Sequence, residues 1–153
     1  MNAQAATADH DIDMDEEKKT AEDYLIHYAA YKDEIEQYKL SIIESSPNMG
    51  NDMPTRGKYV HGNPTANKAI KLTRDDILRK ERWLKAVEVT RAYFARADSN
   101  HGIFITERYD MGMQPGQIAN DIGICRASVF ILQNEVLIHL IGVHRIIDHE
   151  CVV

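Results

Sequence analysis

Cysteine and proline are both scarce in this sequence. The 153 residues include two cysteines, too few for a disulfide framework, and the chain shows neither a secretion signal nor a membrane-length apolar segment, which predicts a reducing, cytoplasmic setting with no membrane. Four prolines, eight glycines and 44% apolar residues, with no sustained alternation of apolar and polar positions, argue against strands. The sequence therefore predicts an all-α fold.

Residue patterns that carry enzymatic chemistry are also missing. There is no glycine-rich phosphate loop, nucleophile elbow, paired acid motif or CxxC. One group of metal-ligating residue types lies near the C-terminus: His139, His144, His149 and Cys151. Steps of five residues place successive histidines about 140° apart around a helix, so they do not share a face. We expect no enzymatic activity, no cofactor and no metal site.

Charge is distributed unevenly along the chain, whose net charge is −6. Residues 1–54 hold 13 acidic and 4 basic residues, a net −9, and residues 98–153 hold 7 acidic and 3 basic residues, a net −4. Residues 55–97 hold 4 acidic and 11 basic residues, a net +7. Because the acidic excess lies mostly outside this middle segment, the overall charge does not exclude binding to nucleic acid.

Residues 114–134 have the pattern of a helix-turn-helix. Ile118 and Ile122 share one face of a first helix, and Ala119 between them allows a second helix to cross closely. Gly123 can take the left-handed conformation that ends one helix and turns the chain into the next. Three apolar residues then point back at the first helix: Ile124, Val129 and Leu132. The alternative is a helical corner of an ordinary bundle.

In DNA-binding versions of this motif the second helix enters the major groove. The outward positions, predicted to contact bases, are Arg126, Ala127, Ser128, Phe130, Ile131, Gln133 and Asn134. Phosphate contacts are predicted at the start of the first helix and on the basic face of an earlier one, at Gln114, Gln117, Arg79, Arg82 and Lys85. A charged face that contacts only solvent is the alternative for the basic residues.

The N-terminal part is predicted to hold one long helix behind an acidic tail. Residues 1–19 are poor in apolar residues and are expected to be disordered, and a helix over 20–45 begins at Thr20. Its apolar seam has coiled-coil spacing: Tyr24, Tyr28, Tyr31, Ile35, Tyr38 and Ile42. This tyrosine seam either docks on the rest of its own chain or joins two chains in a homodimer.

The remaining residues are assigned to a loop, a short helix and one helical DNA-binding domain. Proline and glycine cluster after residue 45, so residues 46–72 are predicted to form a loop and a short helix that begins at Asn63-Pro64. The domain over 73–153 starts with a long helix ending near Arg96, with Trp83 as a core or interface anchor. Phe104 and Tyr109 are expected to support the helix-turn-helix, and the last helix extends well beyond it.

This order of elements resembles the ArpU/RinA family of phage transcriptional regulators over about residues 24–145. The resemblance rests on the coiled N-terminal helix, on NPTANKAIKL at 63–72, and on a C-terminal motif similar to region 4 of bacterial sigma factors. It implies a phage or prophage protein in the bacterial cytoplasm, at the nucleoid, that binds promoter DNA and activates late genes for packaging and virion assembly. The chain departs from the family at Phe130 and Ile131, where relatives usually carry arginine or lysine.

The partners predicted on this basis are double-stranded DNA, a second copy of the chain and host RNA polymerase. One alternative is a small terminase subunit, which also combines a helix-turn-helix with an oligomerising helix but assembles into rings. Another is a protein-binding transcription factor that uses Phe130 and Ile131 as an apolar docking patch and acts on RNA polymerase without strong DNA specificity.

Overall fold

The structure, a computed structural model, describes residues 3–45, 64–97 and 99–152. Within these ranges the chain is helical and has no strand, which confirms the all-α fold class. The helices in chain order are α1 (Ala3–Ile26), α2 (Tyr28–Ser45), α3 (Pro64–Arg96), α4 (Asn100–Ile105), α5 (Pro115–Ile122) and α6 (Arg126–Val152). A π-helical segment, Thr106–Asp110, continues from α4. The predicted loop at 46–63 lies outside the described residues.

α1 begins well before the predicted start of the first helix. For residues 3–19 the expectation of a disordered tail is wrong, because α1 already begins at Ala3. α1 packs on α6, and Arg145 of α6 donates a hydrogen bond of 2.8 Å to Glu17 Oε1. A segment rich in acidic residues can be ordered by a partner helix, and its composition alone does not reveal that partner.

Two other predicted boundaries are corrected. The helix expected to run unbroken over 20–45 is divided by a turn at His27. α3 is continuous, so the short helix over 65–72 and the long helix expected to begin at Thr73 are one element. Thr73 followed by two aspartates imitates a helix start, but the same residues are tolerated inside a helix when their side chains are exposed, as here.

The chain divides into two compact units: Met1–Tyr28 with Arg82–Val153, and Ala29–Glu81. In the first unit α1, α4 and α5 all pack on α6. Trp83 is buried as predicted, and its ring stacks on Tyr24 at 5.3 Å and on His144 at 3.7 Å between centroids. The fully buried side chains of this unit include Leu25, Val87, Phe104, Ile118, Val129 and Leu140.

The second unit contains most of α2 and the first part of α3, and ion pairs join the two. Lys80 Nζ lies 2.7 Å from Glu34 Oε1, and Lys39 Nζ lies 2.6 Å from Glu81 Oε1. Exposed pairs of this kind each contribute little, typically about 0–1 kcal/mol, so the apolar contact matters more. Among the side chains of this unit that the structure describes, Ile35 and Ile77 are buried.

α6 is also the one helix among the described residues that is long and apolar enough to cross a membrane by length and composition alone. The expectation that the chain lacks a segment of this kind is therefore wrong. The core helix of a soluble domain meets the same criterion, and three other helices pack on α6.

Candidate nucleic-acid interface

α5 and α6 meet in the predicted helix-turn-helix geometry. α5 ends at Ile122, and Gly123 takes the left-handed conformation with φ 81° and ψ 35°. Its N–H donates to the Ala119 carbonyl oxygen at 2.9 Å, which satisfies one of the last carbonyls of α5. Ile118 and Val129 are fully buried where the helices cross. The predicted turn is confirmed, although Ile124 and Leu132 are only partly buried.

The two glutamines predicted to contact phosphate lie at the start of α5. The backbone N–H of Gln114 donates a hydrogen bond of 3.0 Å to the side-chain oxygen of Gln117, so the pair caps the helix. Pro115 follows as the first helical residue, where its missing N–H costs nothing. Both glutamines are exposed. The Gln117 oxygen, however, is already engaged within the chain.

Five of the seven residues predicted to contact bases lie on one exposed side of the first turns of α6. We call this surface the outer face of α6, and it consists of Arg126, Ala127, Phe130, Ile131 and Asn134. The other two are held by their own chain. Ser128 Oγ lies 3.1 Å from Cys125 Sγ, and Gln133 Nε2 donates to Glu22 Oε1 of α1 at 2.8 Å.

The outer face of α6 combines one arginine with an apolar patch. The guanidinium carbon of Arg126 lies 5.8 Å from the centre of the Phe130 ring, within the range of a cation–π contact. Phe130 is 48% exposed and Ile131 57% exposed. Chemically, the arginine can bind a guanine edge or a phosphate, and the apolar side chains can contact thymine methyl groups or another protein.

The basic residues predicted on α3 are not equivalent. Arg82 Nη1 donates to Asp148 Oδ1 of α6 at 2.8 Å and is partly buried, so this guanidinium is already paired within the first unit. Lys85, in the same unit, is exposed, and Arg79 is exposed in the second unit. Two of the three basic residues therefore face solvent.

In the first unit the tyrosine seam contacts α3 of the same chain. Tyr24 stacks on Trp83, and the Tyr28 hydroxyl donates a hydrogen bond of 2.6 Å to Glu88 Oε1. Burial and this acceptor raise the pKa of the Tyr28 hydroxyl to about 12, because both disfavour the phenolate. This is the intramolecular alternative left open by the sequence.

The seam continues in the second unit in a similar way. Lys80 Nζ lies 5.4 Å from the centre of the Tyr31 ring, and Ile35 is buried. Tyr38 is partly buried, whereas Ile42 remains exposed. Homodimerisation through the seam would have to replace the contacts at Tyr31 and Ile35, and it stays a prediction.

A buried acid beside the helix-turn-helix was missed by sequence reasoning. Glu107 lies in the π-helical segment, and only 7% of it is exposed. Its carboxyl contacts that of Asp121 on α5, and this hydrogen bond, together with burial, raises the pKa of Glu107 to about 7. Glu107 also lines a cavity of about 780 Å³ between α3, α4 and the π-helical segment. A glutamate followed by an arginine ordinarily indicates an exposed position, so the sequence carried no signal for this pair.

Among the described residues no group of three or more His, Cys, Asp or Glu side chains is placed to hold a metal ion. The histidines of α6 have other contacts. His139 stacks on Tyr93 at 4.4 Å between ring centroids, and His144 stacks on Trp83. These rings belong to the contact between α3 and α6 in the first unit.

No family model, no curated protein and no solved structure matches this chain. The resemblance to the ArpU/RinA regulators thus rests on the residues quoted for it and stays a prediction. What the geometry supplies independently is a helix-turn-helix corner whose second helix has an exposed outer face.

Proposed function

We propose that this protein is a helix-turn-helix regulator of phage transcription that binds double-stranded DNA through the outer face of α6. The observation that carries the proposal is the left-handed turn at Gly123, followed by an α6 whose first turns are exposed on the side away from α5. This is the arrangement in which a recognition helix enters the major groove. By the resemblance, its targets are promoters of late packaging and morphogenesis genes in the bacterial cytoplasm, with host RNA polymerase and a second copy of the chain as further partners.

The outer face offers few groups for reading bases. Arg126 lies at the first position of α6, where the partial positive charge of the helix N-terminus also favours a phosphate. Asn134 carries an amide that can pair with adenine, and Phe130 and Ile131 suit thymine methyl groups. Because Gln133 is bonded to Glu22, base readout depends on fewer polar side chains than the sequence indicated. Much of the affinity must then come from phosphate contacts, for which exposed Lys85 is the candidate in the same unit.

A second candidate function is favoured by the exposure of Phe130 and Ile131. About half of each side chain is in contact with solvent, where an arginine or lysine would serve DNA better. In this alternative the outer face of α6 docks on another protein, namely host RNA polymerase, and contributes little DNA specificity.

Binding of Arg126→Ala to duplex DNA at several salt concentrations tests the proposal. A site is first selected with the wild-type protein from mixed-sequence duplexes, and a scrambled duplex serves for non-specific binding. If Arg126 contacts a base, the variant loses about 1–3 kcal/mol of binding free energy on the selected site and almost nothing on the scrambled one. Lys19→Ala, which removes one positive charge from an exposed position on α1, is the matched control and should change neither.

The outcomes separate the roles. An equal loss of binding free energy on both duplexes would make Arg126 a phosphate contact. A wild-type protein that binds all duplex sequences equally would contradict the proposal of a sequence-specific regulator. The double variant Phe130→Ala with Ile131→Ala then distinguishes the second candidate, because that candidate requires binding to purified RNA polymerase to fall while DNA binding is kept.

A further inference from the structure

Two carboxyl groups meet where the π-helical segment packs on α5. Glu107 is buried, its Oε2 atom has no hydrogen-bond donor as a partner, and its carboxyl is in hydrogen-bonding contact with that of Asp121. In the described part of the chain no lysine, arginine or histidine forms an ion pair with either group. Two ionised carboxylates can only accept hydrogen bonds, so this contact requires a proton on one of them.

We propose that Glu107 and Asp121 share one proton and that this proton holds α5 against the π-helical segment. Glu107 is buried, whereas Asp121 is exposed at the edge of this contact. When the proton is lost, two anions remain in contact, and their repulsion, which water at Asp121 reduces, favours separation of the two elements. Because α5 is the first helix of the helix-turn-helix, its release alters the support of the Gly123 turn and of the start of α6. The pair is thus a pH-sensitive switch built into this corner.

None of the charged groups near Glu107 forms an ion pair with its carboxyl among the described residues, although Arg91 Nε is buried without a hydrogen-bond partner. Arg91 and Arg96 of α3 line the same cavity as Glu107. The three elements in contact with the π-helical segment carry Asp121 on α5, Glu22 on α1 and His101 on α4. The segment itself also carries Arg108 and Asp110. Arg91 makes two hydrogen bonds of 2.9 Å to Asp110, and Arg108 donates to the Met113 carbonyl oxygen at 3.2 Å. His101 pairs with Glu135. Arg96 is exposed and screened by water.

The direction of the pH effect follows from the raised pKa of Glu107. The hydrogen bond to Asp121, burial and the charge of Asp121 all favour the protonated form of Glu107, and its pKa rises from the ordinary 4.5 to about 7. The folded state therefore binds more protons than the unfolded state between these two values. The stabilisation is fully present below 4.5 and is lost as the pH rises through about 7.

Hydrogen exchange of the α5 amides in the full chain tests the switch. In the wild type, after correction for intrinsic exchange rates, local opening of α5 should become up to about tenfold more frequent for each pH unit between the ordinary and the raised pKa. Glu107→Gln keeps the shape of the side chain and supplies a permanent donor, so its α5 should open at a rate independent of pH in this range. Asp121→Asn should behave likewise, which guards against a folding defect in one variant. Glu150→Gln, at an exposed position of α6, should retain the wild-type dependence.

Two histidines must be separated from this effect. Burial lowers the pKa values of His139 and His144, so their protonation destabilises the first unit as the pH falls below about 6.5, opposite in sign to the carboxyl pair. The difference between wild type and Glu107→Gln cancels their contribution. A ¹³C NMR titration of the side-chain carboxyl groups then measures the pKa of Glu107 directly. A midpoint for Glu107 near 7 is expected, whereas a midpoint near 4.5, or a Glu107→Gln variant with the wild-type pH dependence, would overturn the proposal.

Discussion

The two halves of α6 differ in what surrounds them, although their sequences are similarly apolar. The second half is tied to other helices by Arg145 with Glu17, by Asp148 with Arg82, and by His144, which stacks on Trp83. The first half packs on α5 through Val129 and bonds α1 through Gln133 and α4 through Glu135, but it leaves its outer face in solvent. One helix can therefore pack in the core along part of its length and present an exposed surface along another part.

Truncation of one apolar side chain in each half of α6 should give the largest difference in the free energy of unfolding. Leu140→Ala removes a fully buried side chain and should lower the free energy of unfolding by about 2–5 kcal/mol, through lost transfer energy and a residual cavity. Ile131→Ala, on the outer face, should change it by no more than about 0.5 kcal/mol. Chemical denaturation measures both. Similar losses at the two positions would mean that the outer face is covered.

Substitutions at two glycines, Gly123 before α6 and Gly142 within its second half, should change stability in opposite directions. Gly123 has φ +81°, so Gly123→Val places a β-branched residue in a strained conformation and should destabilise the protein by about 1–3 kcal/mol. Gly142 lies inside α6, and a Cβ there meets nothing within 4 Å, so Gly142→Ala should stabilise by up to about 1 kcal/mol. Thermal unfolding compares the two variants. A neutral Gly123→Val would contradict the role given to the turn.

The anchored half should also carry a pH dependence. Burial lowers the pKa of His144 below its ordinary 6.5, and its Nε2 atom is buried with no hydrogen-bond partner. The unfolded chain then takes up the proton first, so stability is present above about 6.5 and falls as the pH drops below it. His144→Phe keeps an aromatic ring on Trp83 and should flatten this fall in denaturation curves recorded from pH 7 to pH 5. An unchanged slope would assign the dependence to His139 or to other groups.

The smallest effect is expected at the ion pair that ties α1 to α6. Glu17→Gln removes one charge of the pair with Arg145, both partly exposed, and should cost about 0–1 kcal/mol, less at high salt. Denaturation at low and high ionic strength measures it. A loss of several kcal/mol that is insensitive to salt would show that α1 is anchored mainly through this residue rather than through buried Leu25.

Local signals in the sequence predicted the helix-turn-helix well. The left-handed conformation of Gly123 and the burial of Ile118 and Val129 depend on neighbours within a few turns, which the spacing of apolar residues encodes. Trp83 on α3 is likewise buried as expected. The all-α class followed from the scarcity of proline and glycine and from the lack of sustained alternation of apolar and polar residues.

Contacts between distant residues could not be predicted in this way. Gln133 was assigned to DNA, but it bonds Glu22, 111 residues earlier, and Arg82 was assigned to phosphate, but it pairs with Asp148. A polar residue on a helix surface has the same sequence pattern whether its partner is solvent, DNA or another helix. The acid at Glu107 was missed for the same reason, since its burial depends on how the π-helical segment meets α5.

The proposed contact of DNA with the outer face of α6, and not with the second half of the helix, is tested most directly by backbone amide NMR with a titrated duplex. With the selected duplex, the claim predicts chemical-shift changes that begin at Arg126, extend to Asn134 and fade before His144. No shift changes on α6 upon saturation with this duplex, or changes centred on the second half, would contradict it.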